Sequence, residues 1–410
     1  MKDVGATIAW LIASAASAST SAGLLEELVG RLLADGLPLD RVAVTVTVMH
    51  PDIAGISFIW RRGQPVQTVE RGYEEADSEN YPAGPVISAV QSSGEILRRR
   101  LDPSPPLEAP AFFRKLAAKG FTDYFAVPLR FSTGQIQIVS WATKQPGGFS
   151  EEDQALLLSL AAPLSRVAEI RNLQRMATTF LQTYIGRQTA ERILAGHVRR
   201  GDTESIHAAI WLSDMRGFTS LADRLTPSVL LSLLNRYFDC QVPAIEAAGG
   251  EVLKFMGDGL LAIFPVGAGG ASKVCRAALA AAREARRQIF ALERELIEEH
   301  AADRPFSLAL HVGEVLYGNV GGGSRLDFTV IGAAVNLSQR LERLARDLRR
   351  SVIASEIFAV DCGERLVSLG SYALRGLAAP QLVFGLPEEQ ETSPAGEAPA
   401  TGGVKLAGSS

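Results

Sequence analysis

The sequence contains few cysteines and few histidines for its length. Three of its 410 residues are cysteine and five are histidine. Cys240, Cys275 and Cys362 are odd in number, lie far apart, and match neither a disulfide framework nor the CxxC spacing of a zinc site. This scarcity argues against a disulfide-stabilised secreted domain and a zinc ribbon, and it predicts a reducing, cytoplasmic environment.

An excess of charge of one sign is also missing. The chain has 41 Lys and Arg against 45 Asp and Glu, which gives a formal net charge of −4. A dedicated nucleic-acid-binding protein carries a surplus of basic residues that neutralise phosphates. The charge balance therefore disfavours DNA or RNA as the main partner.

Long apolar runs are absent as well. No segment reaches the roughly 18–20 consecutive apolar residues that a membrane-spanning helix requires. Residues 7–23 are uncharged and have some likeness to a secretory signal, but Asp3 lies in the would-be basic region, and leucines continue at helical spacing beyond residue 23. The sequence therefore predicts a soluble protein without a membrane span.

The first 164 residues change their hydrophobic period along the chain. Residues 5–36 have a helical pattern, and four alternating valines between 42 and 48 predict a strand with one buried face. Ser150 and Asp153 have the spacing of a helix-capping box. The other predicted elements are a hairpin at 56–60 and 66–71, helices at 86–92 and 111–119, and strands at 121–131 and 135–142.

This order of helices and antiparallel strands is typical of an α+β sensor-type fold. Its last part, FAVPLRFSTGQIQIVSWATKQPGGFSEEDQALLLSLAAPL, resembles a GAF domain. The resemblance implies a GAF-like regulatory domain over residues 1–164, whose pocket would take a small-molecule ligand or nothing. Within it, residues 77–110 are predicted to form an exposed loop with a solvated basic turn at Arg98-Arg99-Arg100.

Two further segments flank a second domain that is expected over residues 206–385. Residues 165–205 are polar with a helical pattern and are predicted to be a helical linker. Residues 386–410 contain too few apolar side chains to order themselves and are predicted to be a disordered tail. The apolar seam predicted for the linker consists of Leu173, Met176, Phe180, Tyr184 and Ile185.

Two aspartates of the second domain lie where short apolar strands end. Asp214 follows the apolar run 208–213, and Asp258 lies in a Gly-Asp-Gly turn between the runs 251–256 and 260–264. Carboxylates suit Mg²⁺, and two of them together would hold two ions for a triphosphate. Taken singly, Asp214 is more typical of a helix cap and Asp258 of an ordinary hairpin turn.

Four runs extend this pattern across the second domain: LSDMRGFTSLAD, GGEVLKFMGDGLLAIF, LALHVGEVLYGNVG and DFTVIGAAVNLSQRLERL. In this order and at these separations, they resemble the catalytic domain of class III nucleotide cyclases. The segment YIGRQTAERILAGHVRRGDTESIHAAIWLSDMRGFT is similar to that of bacterial soluble adenylate cyclases. The resemblance implies a ferredoxin-like α/β sandwich for residues 206–385.

The resemblance also implies roles for individual residues. Asp214 and Asp258 match the two metal-binding aspartates, and the carbonyl of Met215 matches a backbone ligand of one ion. Two Mg²⁺ or Mn²⁺ ions per site are implied. The residues that match the turn receiving the β- and γ-phosphates are Gly217, Phe218 and Thr219.

Lys254 and Thr329 match the two base-reading positions of the family. Lysine is a hydrogen-bond donor and suits the acceptor N1 of adenine, whereas guanine presents N1–H there. The threonine hydroxyl accepts from the adenine 6-amino group but also donates to guanine O6, so it discriminates less than a carboxylate. ATP is therefore the expected substrate, with some use of GTP conceivable.

Asn336 and Arg340 lie four residues apart on one face of a predicted helix. In the family this Asn orients the ribose, and this Arg stabilises charge on the α-phosphate in the transition state. The chain departs from the family at Ala333, where Asp is common, and the departure is expected to affect local capping or dimer contacts. His311 fits the family pattern and is expected to be structural.

The sequence thus predicts an adenylate cyclase that converts ATP to 3′,5′-cyclic AMP and pyrophosphate under control of the N-terminal domain. The resemblance places the aspartates on one chain and Lys254, Thr329, Asn336 and Arg340 on another, which implies a head-to-tail homodimer. The alternatives are a guanylate or mixed-specificity cyclase and a catalytically silent cyclase-like signalling module.

Overall fold

The computed structural model describes residues 3–14, 20–76, 84–297, 306–323 and 325–389. The chain divides into two compact units, Met1–Phe180 and Leu181–Ser410. Both combine helices with a β-sheet, so the predicted mixture of α and β structure is confirmed. Within the described ranges, no helix is long and apolar enough to cross a membrane.

The N-terminal unit contains one six-stranded sheet of order β3-β2-β1-β6-β5-β4, in which all neighbouring strands are antiparallel. Its elements are α1 (Gly5–Ser14), α2 (Ser21–Ala34), β1 (Arg41–Thr47), β2 (Ile53–Arg61), β3 (Gln64–Gly72), α3 (Tyr73–Ala76), α4 (Gly84–Ser93), β4 (Leu97–Arg100), α5 (Ala111–Ala117), β5 (Asp123–Arg130), β6 (Ile136–Thr143), α6 (Glu151–Ser159) and α7 (Ala161–Ile185).

The central strand β1 is buried on both of its faces. Val42, Val44 and Val46 pack with leucines of α2 on one face, as their alternation predicts. Ala43 and Thr45 on the opposite face are buried as well. The prediction of a single buried face is therefore wrong, because strands on both sides and helices above and below enclose β1.

The first predicted helix, 5–36, is two helices in the structure. Thr20 has an extended backbone, and its hydroxyl accepts a hydrogen bond from Gly23 N–H, so it caps a new helix, α2. The leucines beyond it are buried at helical spacing as expected. Residues 15–19, between the two helices, lie outside the described residues.

The predicted basic turn is an edge strand with two anchored arginines. Arg98 donates to the fully buried carboxylate of Asp123 at 2.7 Å and to the carbonyl of Phe149 at 2.9 Å. Arg100 hydrogen-bonds the carbonyl of Gly147. The expectation of a solvated turn is wrong here, because the buried carboxylate on the paired strand β5 requires a cationic partner.

The capping box is confirmed. Ser150 accepts from Asp153 N–H, and the Asp153 carboxylate accepts from Ser150 N–H.

The second unit contains an eight-stranded sheet of order β13-β14-β12-β10-β7-β9-β8, with β11 paired to β10. Its elements are α8 (Arg187–Leu194), β7 (Thr203–Met215), α9 (Phe218–Arg224), α10 (Pro227–Asp239), α11 (Val242–Ala247), β8 (Glu251–Met256), β9 (Gly259–Pro265), α12 (Gly270–Ile297), β10 (Phe306–Gly322), β11 (Arg325–Ile331), α13 (Ala333–Asp347), β12 (Val352–Ser355), α14 (Glu356–Cys362), β13 (Val367–Tyr372), β14 (Gln381–Gly385) and a short 3₁₀-helix (Pro387–Glu389).

Alternating residues of this sheet fill two different cores. Ala209 and Trp211 of β7 pack in a core with α12 and α14. Ala208 and Ile210, which point the other way, pack in a core with the start of α13. All three cysteines lie within the described residues and are buried, and no disulfide joins them.

The predicted linker and tail differ from the structure at their ends. The segment 165–205 is helical through α7 and α8, but β7 begins at Thr203 because it pairs with β10 there. The tail was predicted from residue 386, yet Leu386 and Glu389 are buried, and Glu389 accepts a hydrogen bond from Ser351 N–H. Residues 390–410 lie outside the described part of the chain.

His311 has the structural position that the sequence predicts. It is buried on β10, and its Nδ1 lies 2.8 Å from the hydroxyl of Ser355, the residue that caps α14. Burial, with a smaller effect of the nearby His207, lowers the pKa of His311 to about 4. The folded state therefore favours the neutral imidazole.

We expect His311 to make the fold less stable in acid. Because its folded pKa lies below the unfolded value, its contribution is complete above about pH 6.5 and is lost as the pH falls toward 4, by up to about 3 kcal/mol. Urea unfolding at pH 7.5 and pH 5 measures this loss. His311→Gln should show a shallower dependence on pH, and an equal dependence in both proteins would contradict the assignment.

Candidate active site

Asp214 lies near the end of β7, opposite Ser307 of β10. Its neighbour Met215 ends the strand and pairs with Phe306. The side chain of Asp214 is about one-fifth exposed, so its carboxylate lies at the end of strand β7 with limited access to water.

Asp258 comes to the same edge through the hairpin between β8 and β9. Gly257 has φ of 69°, a left-handed conformation that favours glycine in this turn. A Cβ on Gly259 would lie 3.3 Å from Asp214 Oδ1 and 3.1 Å from the carbonyl of Ser213. The hairpin therefore needs glycine beside Asp258 to approach β7 closely.

The two aspartates interact directly. Burial, followed by the negative charges of Asp258 and Glu342, raises the pKa of Asp214 to about 6 against the opposing effect of Arg346. Arg346 Nη1 lies 3.2 Å from Asp214 Oδ2, and Arg346 Nη2 lies 2.8 Å from Glu342 Oε2. Glu342 also accepts a hydrogen bond of 2.7 Å from Ser307. This carboxylate cluster, Asp214, Asp258 and Glu342 with Arg346, carries more negative than positive charge.

These residues fit a divalent cation. Among the described residues, no group of three or more His, Cys, Asp or Glu side chains has the arrangement of a metal site. Mg²⁺ commonly uses only one or two carboxylates and completes its shell with water and substrate phosphates. Two mutually repelling carboxylates beside a strand-end carbonyl, that of Met215, match this requirement for hard oxygen ligands.

The turn predicted to bind phosphates follows directly. Gly217 has φ of 74° and caps the short helix α9, which begins at Phe218 and includes Thr219. The first amides of a helix have no partner within the helix. The turn therefore places N–H groups that have no hydrogen-bond partner within the helix shortly after Asp214 and Met215 in the sequence.

Lys254 lies on β8 in a cleft lined also by Phe255, Leu326, Asp327 and Phe328. Its Nζ donates to Asp327 Oδ2 at 3.3 Å, and its side chain is about one-third exposed. This cleft shares no lining residue with the depression that contains Asp214, Glu342 and Arg346.

Thr329 lies on β11, two residues after Asp327. It is buried, and within the described ranges its Oγ1 has no hydrogen-bond partner. A buried hydroxyl without a partner is costly, and native structures seldom leave one so unless a ligand supplies the bond. Thr329 is therefore a suitable place for a ligand hydrogen bond.

Helix α13 presents two different faces. Asn336 is exposed and Arg340 is partly exposed. The guanidinium of Arg340 lies beside Gly376, where its Nη2 would be 3.4 Å from a Cβ added to that glycine. Glu342 follows two residues later, which turns it about 160° away from Arg340 around the helix axis, toward Asp214. Arg340 and Asp214 thus lie on different sides of the same helix.

The structure therefore sorts the predicted residues into three groups. It brings Asp214, Asp258 and the turn after Met215 together at the end of β7, places Lys254 on β8 and Thr329 on β11, and places Asn336 and Arg340 on α13. Sequence reasoning missed Glu342, Arg346 and Asp327. The spacing of Glu342 and Arg346, four residues apart on a helix, indicated an ion pair but not its partner on β7.

Comparisons with known proteins identify similar sequences and structures for the second unit. Residues 202–384 match the family described as the adenylate and guanylate cyclase catalytic domain. An adenylate cyclase of Anabaena cylindrica is 30% identical over 162 residues, which is 39% of this chain and 32% of that protein. Adenylate cyclase 1 of Rhizobium meliloti is 28% identical over 225 residues, which is 50% of this chain and 32% of that protein.

The chain thus spans about a third of the length of these curated relatives. Among solved structures, the adenylyl cyclase CyaB from P. aeruginosa is 26% identical and has a TM-score of 0.41, over 45% of this chain and 94% of that chain. The guanylyl cyclase Cya2 is likewise 26% identical, with a TM-score of 0.39, over 45% of this chain and 92% of that chain. By the family match, residues 202–384 form a catalytic domain of the adenylate and guanylate cyclase family.

Proposed function

We propose that this protein is an adenylate cyclase, which converts ATP to 3′,5′-cyclic AMP and pyrophosphate. The observation that carries the proposal is the electrostatic interaction of the Asp214 and Asp258 carboxylates, in a domain that matches the cyclase family. Two carboxylates that repel each other in a partly buried site need a cation, and the substrate is a polyphosphate that binds with divalent cations.

Asp214, Asp258 and the carbonyl of Met215 would hold two Mg²⁺ or Mn²⁺ ions. When bound, such ions neutralise phosphate charge and lower the pKa of a coordinated hydroxyl. The amides of Phe218 and Thr219 would bind the β- and γ-phosphates. The 3′-oxygen of the ribose then bonds to the α-phosphorus in line, its proton is lost, and the bond from the α-phosphorus to the bridging oxygen breaks to release pyrophosphate.

Lys254 and Thr329 would select the base. Lys254 donates to N1 of adenine once it leaves Asp327, which holds it at 3.3 Å in this structure. The hydroxyl of Thr329, buried and without a partner in the described residues, accepts from the 6-amino group. Both positions favour adenine over guanine, and Lys254 discriminates more strongly because it cannot accept.

The active unit would be a head-to-tail homodimer. Asn336 and Arg340 point to a different side of α13 from Asp214, so a second copy must supply them to the carboxylate cluster. Exposed apolar side chains near both groups offer a surface for that copy. These side chains are Phe255, Met256, Leu316, Leu326 and Ile331.

The N-terminal unit would regulate this activity. Its six-stranded antiparallel sheet is compatible with the GAF-like domain that the sequence predicts. In the second unit, Glu251 of β8 accepts from Thr189 N–H at 2.8 Å and from Tyr317 at 2.7 Å. This contact joins α8, the helix that follows α7 in the chain, to β8, the strand that carries Lys254. A movement of α8 would therefore be transmitted to the base-reading residue Lys254.

The test is turnover by the purified full-length chain. With Mg²⁺ or Mn²⁺, we expect cyclic AMP from ATP and at most slow formation of cyclic GMP from GTP, measured by chromatography. Equal rates with both nucleotides would contradict the proposed selectivity. Absence of both products from a folded, dimeric preparation would contradict catalysis and favour a silent signalling module.

Mixed specificity is a second candidate, because the Thr329 hydroxyl is able to donate to guanine O6. We expect Thr329→Asp to raise the ratio of ATP to GTP turnover by about tenfold, since a carboxylate accepts from the 6-amino group but repels O6. Lys254→Glu, tested beside it, should lower the ratio. A ratio unchanged in Thr329→Asp would show that this position does not contact the base.

A further inference from the structure

A partly enclosed cavity lies within the N-terminal unit, between α2, the strands β1 and β2, and α7. Its volume is about 50 Å³. Since a water needs roughly 10–15 Å³ on this scale, the space holds about three to five groups of that size, which suits a short alkyl chain. The lining side chains on α2, β1 and β2 are apolar apart from Ser21, and include Leu24, Leu28, Val44, Val46 and Phe58.

Polar groups converge at the α7 end of this cavity. Arg175 is half-buried, and its guanidinium lies 5.2 Å from the ring centroid of Phe58. Burial lowers the pKa of Arg175, against the attraction of Glu70. Arg175 also lines a larger cleft of about 260 Å³, which includes Glu70 and His50. The guanidinium thus lines both the apolar cavity and this larger cleft.

Asn172 supplies a second polar group. It is 5% exposed and lines the cavity. Its Nδ2 donates to the carbonyl of Thr47 at 3.4 Å and contacts Met176 Sδ at 3.6 Å, whereas its Oδ1 has no partner among the described residues. A buried acceptor of this kind requires a donor, and none of the described side chains that line the cavity supplies one.

We propose that this cavity binds an N-acyl amino acid, a short alkyl chain joined through an amide to a carboxylate. The alkyl chain fills the apolar space, the amide N–H donates to Asn172 Oδ1, and the carboxylate accepts from Arg175. A guanidinium has five N–H donors, so Arg175 binds a carboxylate while it keeps its electrostatic contact with Glu70. The site belongs to the N-terminal unit and does not depend on the proposed cyclase activity.

The experiment is calorimetric titration of the full-length chain with N-hexanoylglycine. We expect saturable binding, with N-acetylglycine and hexan-1-amine binding at least tenfold more weakly, since one lacks the chain and the other lacks the amide and carboxylate. N-decanoylglycine should also bind more weakly, because the cavity is too small for ten carbons. All of these titrations use the wild-type protein, so their outcome does not depend on whether a variant folds.

Two variants locate the site. Arg175→Met keeps the apolar stem and should weaken binding of N-hexanoylglycine at least tenfold, whereas Arg99→Met removes an exposed arginine of the same unit and should leave it unchanged. Circular dichroism checks that both variants fold. The proposal fails if the folded wild type does not bind N-hexanoylglycine at millimolar concentration, if N-acetylglycine binds equally well, or if folded Arg175→Met binds like the wild type.

Discussion

Replacing Asp258 with asparagine is expected to reduce cyclic AMP formation at least about 1000-fold. Loss of an outer partner of a metal ligand typically costs 10–100-fold, and Asp258 is proposed as a ligand itself. Asparagine keeps the size of the side chain and the turn preference of this hairpin, so the fold should persist. Initial rates with ATP and Mn²⁺, beside circular dichroism, measure both effects.

The same substitution should leave the metal-free protein more stable, which separates this result from misfolding. Asp258 raises the pKa of Asp214 because the two negative charges repel each other, and asparagine removes that repulsion. The thermal midpoint in chelator should therefore rise. As a matched control, Asp327→Asn removes a more exposed carboxylate that contacts Lys254, and it should retain the affinity for Mn²⁺. Wild-type turnover in Asp258→Asn would refute the metal assignment.

Mixing two inactive variants is expected to restore activity if the site is shared. Asp214→Ala and Arg340→Ala damage opposite halves of each proposed site, so a heterodimer of the two contains one intact site. With free exchange of equal amounts, about half of the dimers are mixed, and activity should recover to about a quarter of the wild-type value. Each variant alone should lose about 10²–10³ in rate or more.

The control mixture is Asp214→Ala with Asp258→Ala. Both changes lie in the same half of the site, so every site in their heterodimer lacks one aspartate and no activity should return. Recovery in this control, or none in the first mixture when heterodimers are shown to form, would contradict the division of residues between two chains. Because Arg340 and Glu342 lie on different sides of α13, we expect activity to return in the first mixture and not in the control mixture.

Several features of the fold were predictable because they depend on neighbours in sequence. The capping box at Ser150 needs only Asp153, three residues away, and the alternating valines of β1 do form a strand. The burial of its second face was not predictable. It depends on helices and strands that come from distant parts of the chain.

The ion pairs show the same limit. Nothing near Arg98 in the sequence indicates that Asp123 will lie buried beside it, and nothing near Asp214 indicates that Arg346 will reach it from a helix far along the chain. Such contacts arise when β-strand register and helix packing bring remote residues together. Their strength depends on burial, which the local pattern of charges does not reveal.

By itself, the sequence predicted the type of several elements in both units and singled out Asp214, Asp258, Lys254, Thr329, Asn336 and Arg340 through motifs and spacing. Only the tertiary structure decided which of them meet. It placed Asp214 against Asp258, turned Arg340 to another side of α13, and left the Thr329 hydroxyl buried without a described partner. The reason is physical: periodicity records which face of an element is apolar, whereas the partner of a polar group is set by how the elements pack.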